Sequence, residues 1–566
     1  MNKKFFDISE AFKQKKYREI IEFIEKNIEE SKRSSQILNI LATCKILDGP
    51  VTKDILISTI NIFKQSYLQD KKTNHALDAL RNFINFSVNL FDFDKSKENQ
   101  IFCKKLFTLC LNYYKYTNDL FKNDKLLLLA VTRIYKRFSD IDNVIANLSK
   151  LIKNDSNDSM IYTSYIYYNS FKSDWSQKLF LQNSTDLAKK LPIYPNSKLK
   201  NLNKKKKDKI YLGFLSSDIR GNHSITYFLE TILKNYNKEK FKIFLFTNLR
   251  YEDDTTLKFS NYSDVKINIG NLNNLEVLNL IRDNSIDVMI DMMGMTSSNR
   301  ITLFKNRLAP IQISWCGYCN TTGLSEMDYI ITDKNLIYDD EHNFYSEKIL
   351  YLNDIWNAHK GFEFTRKQAL PPSVNNNYFT FGSFNNFSKI NDKVIEVWSE
   401  ILKKVENSRL ILKTVSSRDI EFLSSKFEKK GVIKSIKFLP KQKNFKDHLD
   451  LYNEIDLSLD TFPYNGVTTS FEAIWMGVPV LTMKGYNFNS RCGESINKNL
   501  KIDYLISKNH SEYIEKATEL SKNEVRLKEL RNQVFNESIK SPLFDTNKFN
   551  KNFFSVIEDV YEKQFN

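Results

Sequence analysis

In LDTFPYNGVTTSFEAIWMGVPVLTM, residues 459–483, a short apolar run ends at Asp460 and a turn follows. A helical pattern then opens before the chain returns to a second apolar run. Pro463, Asn465 and Gly466 are turn formers, and the bounded, β-branched run around VPVLTM has the composition of a buried strand. Strand, helix and strand in succession make a crossover connection, which sets the two strands parallel and covers their sheet with the helix. The helix opens at Thr468 and Thr469. Free N–H groups and hydroxyls at a helix start bind phosphate, and Glu472, one turn in, is near enough to accept from ribose hydroxyls. The same residues fit a plain capping box with Thr469 as N-cap and Glu472 at N3. Taken alone, the residues leave both readings open.

Outward from this unit the alternation repeats. From 209, KIYLGFLSSD, FKIFLFTN, DVKINIG, IDVMIDMMG, IQISWCGY and DYIITD have the pattern of buried strands, with helices such as HSITYFLETILKNY and NLEVLNLIRDN among them. A second series begins near 378 with YFTFGSFN, RLILKT, SIKFLPK, IDLSLDTF and PVLTMKG. The helices NDKVIEVWSEILKKV, IEFLSSKFEKKG and FKDHLDLYNE lie between them. This predicts two doubly wound domains, 209–375 and 376–566, the second carrying terminal helices. Ligands of such sheets bind in the crevice at the carboxyl ends of the strands. Neither GxGxxG nor GxxxxGK[ST] occurs, so a dinucleotide fingerprint and a P-loop are both unsupported.

Residues 1–195 carry amphipathic helical patterns almost throughout, as in ISEAFKQKKYREIIEFIEKNIEES, read as one helix, and QIFCKKLFTLCLNYYKY. The spacing predicts a degenerate tetratricopeptide-like repeat region, with Cys103 and Cys110 as small core positions. NSKLKNLNKKKKD, 196–208, is polar and aperiodic and reads as a linker.

The net charge of +16 fits nucleic-acid binding on its face. Lysines are spread evenly among acids, however, and only 204–207 form a run, which favours a solvated surface and no nucleic-acid partner. The six cysteines are scattered and the six histidines form no HxxxH cluster, so neither a disulfide framework nor a metal site is expected. No stretch approaches the ~20 apolar residues of a membrane span, and the N-terminus has no apolar signal core. A cytoplasmic protein without a membrane partner is expected.

Several loops carry candidate chemistry. In SSDIRGNHS, 216–224, His223 stands where a strand gives way to a helix; alternatively Asn222 or Ser224 caps that helix and His223 is incidental. DMMGMTSSNR, 291–300, is a hydroxyl-rich turn holding Thr296. SWCGYCNTTG, 314–323, has a Cys-x-x-Cys, but a redox pair needs its thiolate at a helix start and a zinc site needs a second pair. Its thiols are expected to be incidental and its Gly/Thr-rich turn an anion contact. In GSFNNFSKIND, Lys389 stands one turn before a helix.

Together with RLILK and SRCGES, these motifs resemble glycosyltransferase family forty-one, the family of O-GlcNAc transferase and the plant SPINDLY proteins, over about 209–540. The resemblance implies a GT-B fold, two Rossmann-like domains, behind the tetratricopeptide-like region. It implies inverting transfer of a sugar to Ser or Thr of a protein, without a metal and with no cofactor beyond the nucleotide-sugar donor. UDP-GlcNAc is the first expectation for that donor. GDP-fucose, or another sugar as in flagellin glycosylation, is the alternative. The protein acceptor would bind through the helical region. Lys389 matches the family's essential lysine, which neutralises the departing diphosphate. One such charge at ~4 Å is worth about 4 kcal/mol at an effective dielectric of 20. His223 matches a histidine once proposed as general base, and His448 one at the donor site; with Lys389 these are the catalytic candidates. Thr296, Gly317, Asn386, Thr468, Thr469 and Glu472 match further donor-contacting positions. Val467, Leu451, Asn386 and Cys319 depart from the animal pattern, which bears on base and sugar. The non-enzyme alternative is a helical-repeat scaffold with an inactive transferase domain.

Overall fold

The structure, a computed structural model, describes residues 7–565 except 95, 118, 155–157, 195–204, 222, 365, 414–416, 441 and 443. The chain forms two compact units, one of residues up to 156 with 416–422, the other of 157–415 with 423–566.

The first unit is helical. Its helices include Ser35–Leu47, Lys53–Gln69, Asn74–Phe93, Lys97–Lys115, Lys125–Arg137 and Ile141–Lys153. Each starts on a short polar residue: Ser34, Thr52, Thr73, Ser96, Asp124 and Asp140 accept the N–H three positions on. That bond satisfies a donor the helix itself leaves free. Phe63, Leu80, Phe83, Phe107 and Val131 form the core, and Cys103 and Cys110 are buried in it. The single helix expected over ISEAFKQKKYREIIEFIEKNIEES is broken into Ile8–Lys13 and Tyr17–Asn27. Lys15 takes φ 58° between them, a left-handed conformation that no helix continues.

The second unit holds two parallel sheets. Strands β1 (Ile210–Ser216), β2 (Phe241–Thr247), β3 (Val265–Asn268), β4 (Val288–Asp291), β5 (Ile311–Ser314), β6 (Tyr329–Asp333) and β7 (Lys348–Leu352) lie in the order β3-β2-β1-β4-β5-β6-β7. Strands β8 (Phe379–Ser383), β9 (Ser408–Lys413), β10 (Ile436–Leu439), β11 (Leu457–Leu459), β12 (Val480–Met483) and β13 (Ile506–Ser507) lie in the order β10-β9-β8-β11-β12-β13. In both, the order reverses beside the first strand, which opens a crevice at its carboxyl end. The edge strands β7 and β13 were not expected from sequence.

The domain division differs from expectation at two places. Helices Ser159–Asn169 and Gln177–Lys190 belong to the second unit. Gln177 donates to Asn320 at 2.7 Å, and a Cβ on Gly323 would stand 2.2 Å from the Ser184 backbone, so glycine permits the close approach. The last helix, Thr546–Phe565, packs on the first sheet rather than the second: Phe553 meets Trp315 at 5.0 Å and Phe554 meets Phe241 at 4.7 Å between ring centroids. Residues 196–204 of the expected linker lie outside the described residues. No helix among the described residues is long and apolar enough to cross a membrane.

Candidate active site

The loops after β1, β4, β5, β8 and β11 converge on one cavity of about 570 Å³. Of the residues singled out from sequence, His223, Thr296, Gly317, Asn386, Lys389, Thr468 and Thr469 line it. His448 and Glu472 do not; both are buried behind the helix start.

Lys389 ends a short 3₁₀ turn, Phe387–Lys389, capped by Asn386, whose side chain accepts from the Ser388 N–H at 2.9 Å. Its ammonium donates to the Asn465 carbonyl at 2.7 Å and stands 4.5 Å over the Tyr464 ring. Burial pulls the Lys389 pKa down, and the nearby Asp460 carboxylate opposes that. The cation is therefore held by a carbonyl and a ring, with an acid close by.

The helix Thr468–Trp475 is preceded by Val467, and no side chain caps it. This corrects the capping-box reading. Thr469 is the second helical residue, its hydroxyl donates to Asn385 Oδ1 at 3.0 Å, and Glu472 is turned to His448 and Tyr452. The first N–H groups of an α-helix have no partner inside the helix, so this start offers donors and the positive end of a dipole. Lys389 and this helix start border the same cavity.

Asp460, which the sequence marked only as a strand end, organises the loop. It accepts from the N–H of Gly466 at 2.6 Å, the N–H of Thr461 at 2.9 Å and the hydroxyl of Thr482 at 2.8 Å. Burial pushes its pKa up to about 6. Gly493 of SRCGES backs it, since a Cβ there would lie 2.0 Å from Thr482 Oγ1.

The turn after β5 is shaped by Cys316, φ 73°, whose neighbour Gly317 donates its N–H to the Trp315 carbonyl at 3.0 Å, a γ-turn of the rarer hand. A Cβ on Gly317 would lie 1.7 Å from the Met292 carbonyl oxygen, so only glycine fits. Burial raises the Cys316 thiol, the reverse of a redox pair's activated thiolate. Cys316→Ser combined with Cys319→Ser should keep turnover. Loss of turnover together with a measurable thiol–disulfide couple would show that the thiols work.

His223 itself caps the helix Ser224–Leu233: its Nδ1 accepts from the Ile225 N–H at 3.4 Å, with Nε2 3.8 Å from Asp218. The capping residue is therefore not Ser224, and Asn222 lies outside the described residues. Burial lowers the His223 pKa, which favours the neutral ring.

One wall was missed from sequence. Tyr167, Tyr168 and Phe171, at the end of helix Ser159–Asn169, line the cavity, and Phe171 stacks on Tyr464 at 4.9 Å. The signal was the aromatic run YIYY, 165–168, in a helix with no polar face to leave in water. Among the described residues no three His, Cys, Asp or Glu side chains gather to hold a metal ion.

Two doubly wound sheets whose loops share one cavity, with a final helix returning to the first, form the GT-B architecture of sugar-nucleotide transferases. The chain belongs to glycosyl transferase family 41, whose sequence model matches residues 159–363 and 364–553. Among similar proteins, a SPINDLY protein of Solanum lycopersicum, named "Probable UDP-N-acetylglucosamine--peptide N-acetylglucosaminyltransferase", is 31% identical over 385 residues, 66% of this chain and 41% of that protein. The similarly named SEC of Arabidopsis thaliana is 26% identical over 377 residues, 63% of this chain and 37% of that protein. The chain thus spans about two-fifths of the length of these relatives. A solved structure of a Thermobaculum terrenum O-GlcNAc transferase mutant shares the fold over 99% of this chain and 98% of its own, with a TM-score of 0.75 at 20% identity.

Proposed function

We propose that this protein transfers a sugar, with inversion, from a nucleotide-sugar donor to a Ser or Thr hydroxyl of a protein, using no metal. The observation that carries this reading is the pairing of the Lys389 ammonium with the uncapped start of helix Thr468–Trp475 on one cavity. A diphosphate between them would meet a cation on one side and backbone N–H groups on the other, the charge stabilisation a leaving nucleoside diphosphate needs. UDP-GlcNAc is the first donor, in keeping with the names of the relatives. Val467, an apolar residue that lines the cavity, departs from the animal pattern, so GDP-fucose is tested beside it.

The acceptor would be held by the helical unit. There a groove of about 500 Å³ is lined by Asn39, Asn82, Asn85, His75 and Arg133, among others. Arg133 donates to Asn85 at 2.8 Å and to Asn89 at 2.9 Å. Side-chain amides carry both donors and acceptors, which suits the backbone of an extended peptide.

Thermal unfolding with a panel of UDP-, GDP- and CMP-sugars tests the donor. A ligand at 100 times its Kd should add about 2.7 kcal/mol to stability and raise Tm accordingly. One nucleotide class should stand out. No stabilisation by any of them would refute the reading.

A further inference from the structure

Behind the helix start runs a chain of polar side chains, half-buried at Lys413 and buried at His448 and Glu472, that the proposed reaction does not itself require. At the end of β9, Lys413 Nζ lies 2.8 Å from His448 Nδ1. His448 Nε2 lies 3.0 Å from Glu472 Oε2, and that same oxygen accepts from the Tyr452 hydroxyl at 2.9 Å. The Tyr452 hydroxyl is also 3.2 Å from the carbonyl of Thr469, in the first turn of helix Thr468–Trp475. Phe384 and Phe445 flank the imidazole at 5.8 and 5.7 Å between centroids.

The chemistry of lysine sets the direction of this chain. An ammonium has three donors and no acceptor, so His448 Nδ1 must offer its lone pair. The ring proton then sits on Nε2 and is donated to Glu472. Were Nδ1 protonated instead, an N–H would face an ammonium and the Glu472 carboxylate would face a bare nitrogen. The Nε2–H tautomer of His448 is thus demanded from both sides, by the Lys413 ammonium at the end of β9 and by the Glu472 carboxylate.

We propose that Lys413 is a positioning residue of the nucleotide-sugar site. By anchoring the His448 ring through Nδ1 it holds Glu472 and, through Tyr452, the first turn of helix Thr468–Trp475 in place to receive the donor. The inference rests on the proposed donor site for its purpose, while the coupling of Lys413 to His448 stands on geometry alone. Removing one partner of a buried hydrogen bond leaves the other unsatisfied, a loss that reads as about tenfold or more in affinity when binding depends on it.

The test uses the full chain labelled with ¹⁵N-histidine, with the His448 signals assigned by their absence in His448→Gln. In the wild type, Nδ1 should show the shift of an unprotonated nitrogen and Nε2 that of a protonated one. In Lys413→Met, Glu472 still keeps the proton on Nε2, and the Nδ1 signal should move toward that of an unprotonated nitrogen without a hydrogen bond. Donor KM should rise about tenfold with kcat retained, while Lys413→Arg, which keeps a donor, should preserve both. Circular dichroism and melting would confirm that each variant folds. An unchanged Nδ1 signal in Lys413→Met, or a changed Nδ1 signal with unchanged donor KM, would overturn the proposal. Should the wild type respond to no nucleotide sugar while Lys413→Met still shifts the Nδ1 signal, the functional reading would fail and the Lys413–His448 coupling would survive it.

Discussion

Replacing Lys389 by alanine should lower turnover about a thousandfold while the protein still folds and still binds its donor. Loss of one unit charge at ~4 Å from a departing diphosphate, at an effective dielectric near 20, costs about 4 kcal/mol, and each 1.36 kcal/mol is tenfold in rate. The ammonium's contacts are the Asn465 carbonyl and the Tyr464 ring, neither of which is a strand or helix bond. The fold should therefore lose little: a few degrees in Tm, less still in Lys389→Met, which keeps the apolar stem. The leaving group gains negative charge only as the glycosidic bond breaks, so the loss should fall on kcat more than on donor affinity. Single-turnover rates and donor binding measured separately would check this. A kcat within tenfold of the wild type would remove lysine from the mechanism.

Asp460→Ala should be the most damaging substitution outside the cavity lining. It strips the acceptor from two buried N–H groups and one buried hydroxyl, and each unsatisfied donor costs about 1–3 kcal/mol, so the sum exceeds about 3 kcal/mol. Denaturant unfolding would measure it; a loss below about 1 kcal/mol would mean that the loop does not depend on this carboxylate. Asp460→Asn separates charge from shape. The wild-type carboxyl has its pKa raised from 3.8 to about 6 in the fold, so the folded state binds the proton more tightly than the unfolded chain. Stability should then fall as pH rises between 3.8 and about 6. Asparagine has no such titration, and the fall should flatten. Because Asp460 raises the pKa of Lys389 against burial, its neutralisation should let Lys389 lose its proton at lower pH. The alkaline limb of the kcat profile should move down in Asp460→Asn; a limb that does not move would mean that Lys389 is not the titrating group.

Much of this architecture is local and so was visible in the chain. Strands such as β1, β4 and β5 are buried almost along their whole length, are therefore mostly apolar, and stand out as short runs between turns. β7 was missed because, as an edge strand, it is fully buried only at Leu352, and β13 because two residues have no period. Lys389, Thr468 and Thr469 could be picked out because a cation before a helix and hydroxyls at a helix start are neighbours along the chain.

Other features became apparent only once the chain was folded. Whether helix Thr468–Trp475 has a cap turned on where its first turn starts, which puts Val467 at the N-cap, and the Glu472 carboxylate is claimed by His448, 24 residues away. His448 is met in turn at Nδ1 by Lys413, 35 residues away, and the cavity's aromatic wall comes from a helix grouped by sequence with the other domain. Side-chain periodicity and turn preference act over a few residues, and they alone specified two parallel sheets behind a helical region. A hydrogen bond or an ion pair is set by distance in space, which no spacing along the chain encodes, so the partners that tune the site emerged only when the sheets had brought them together.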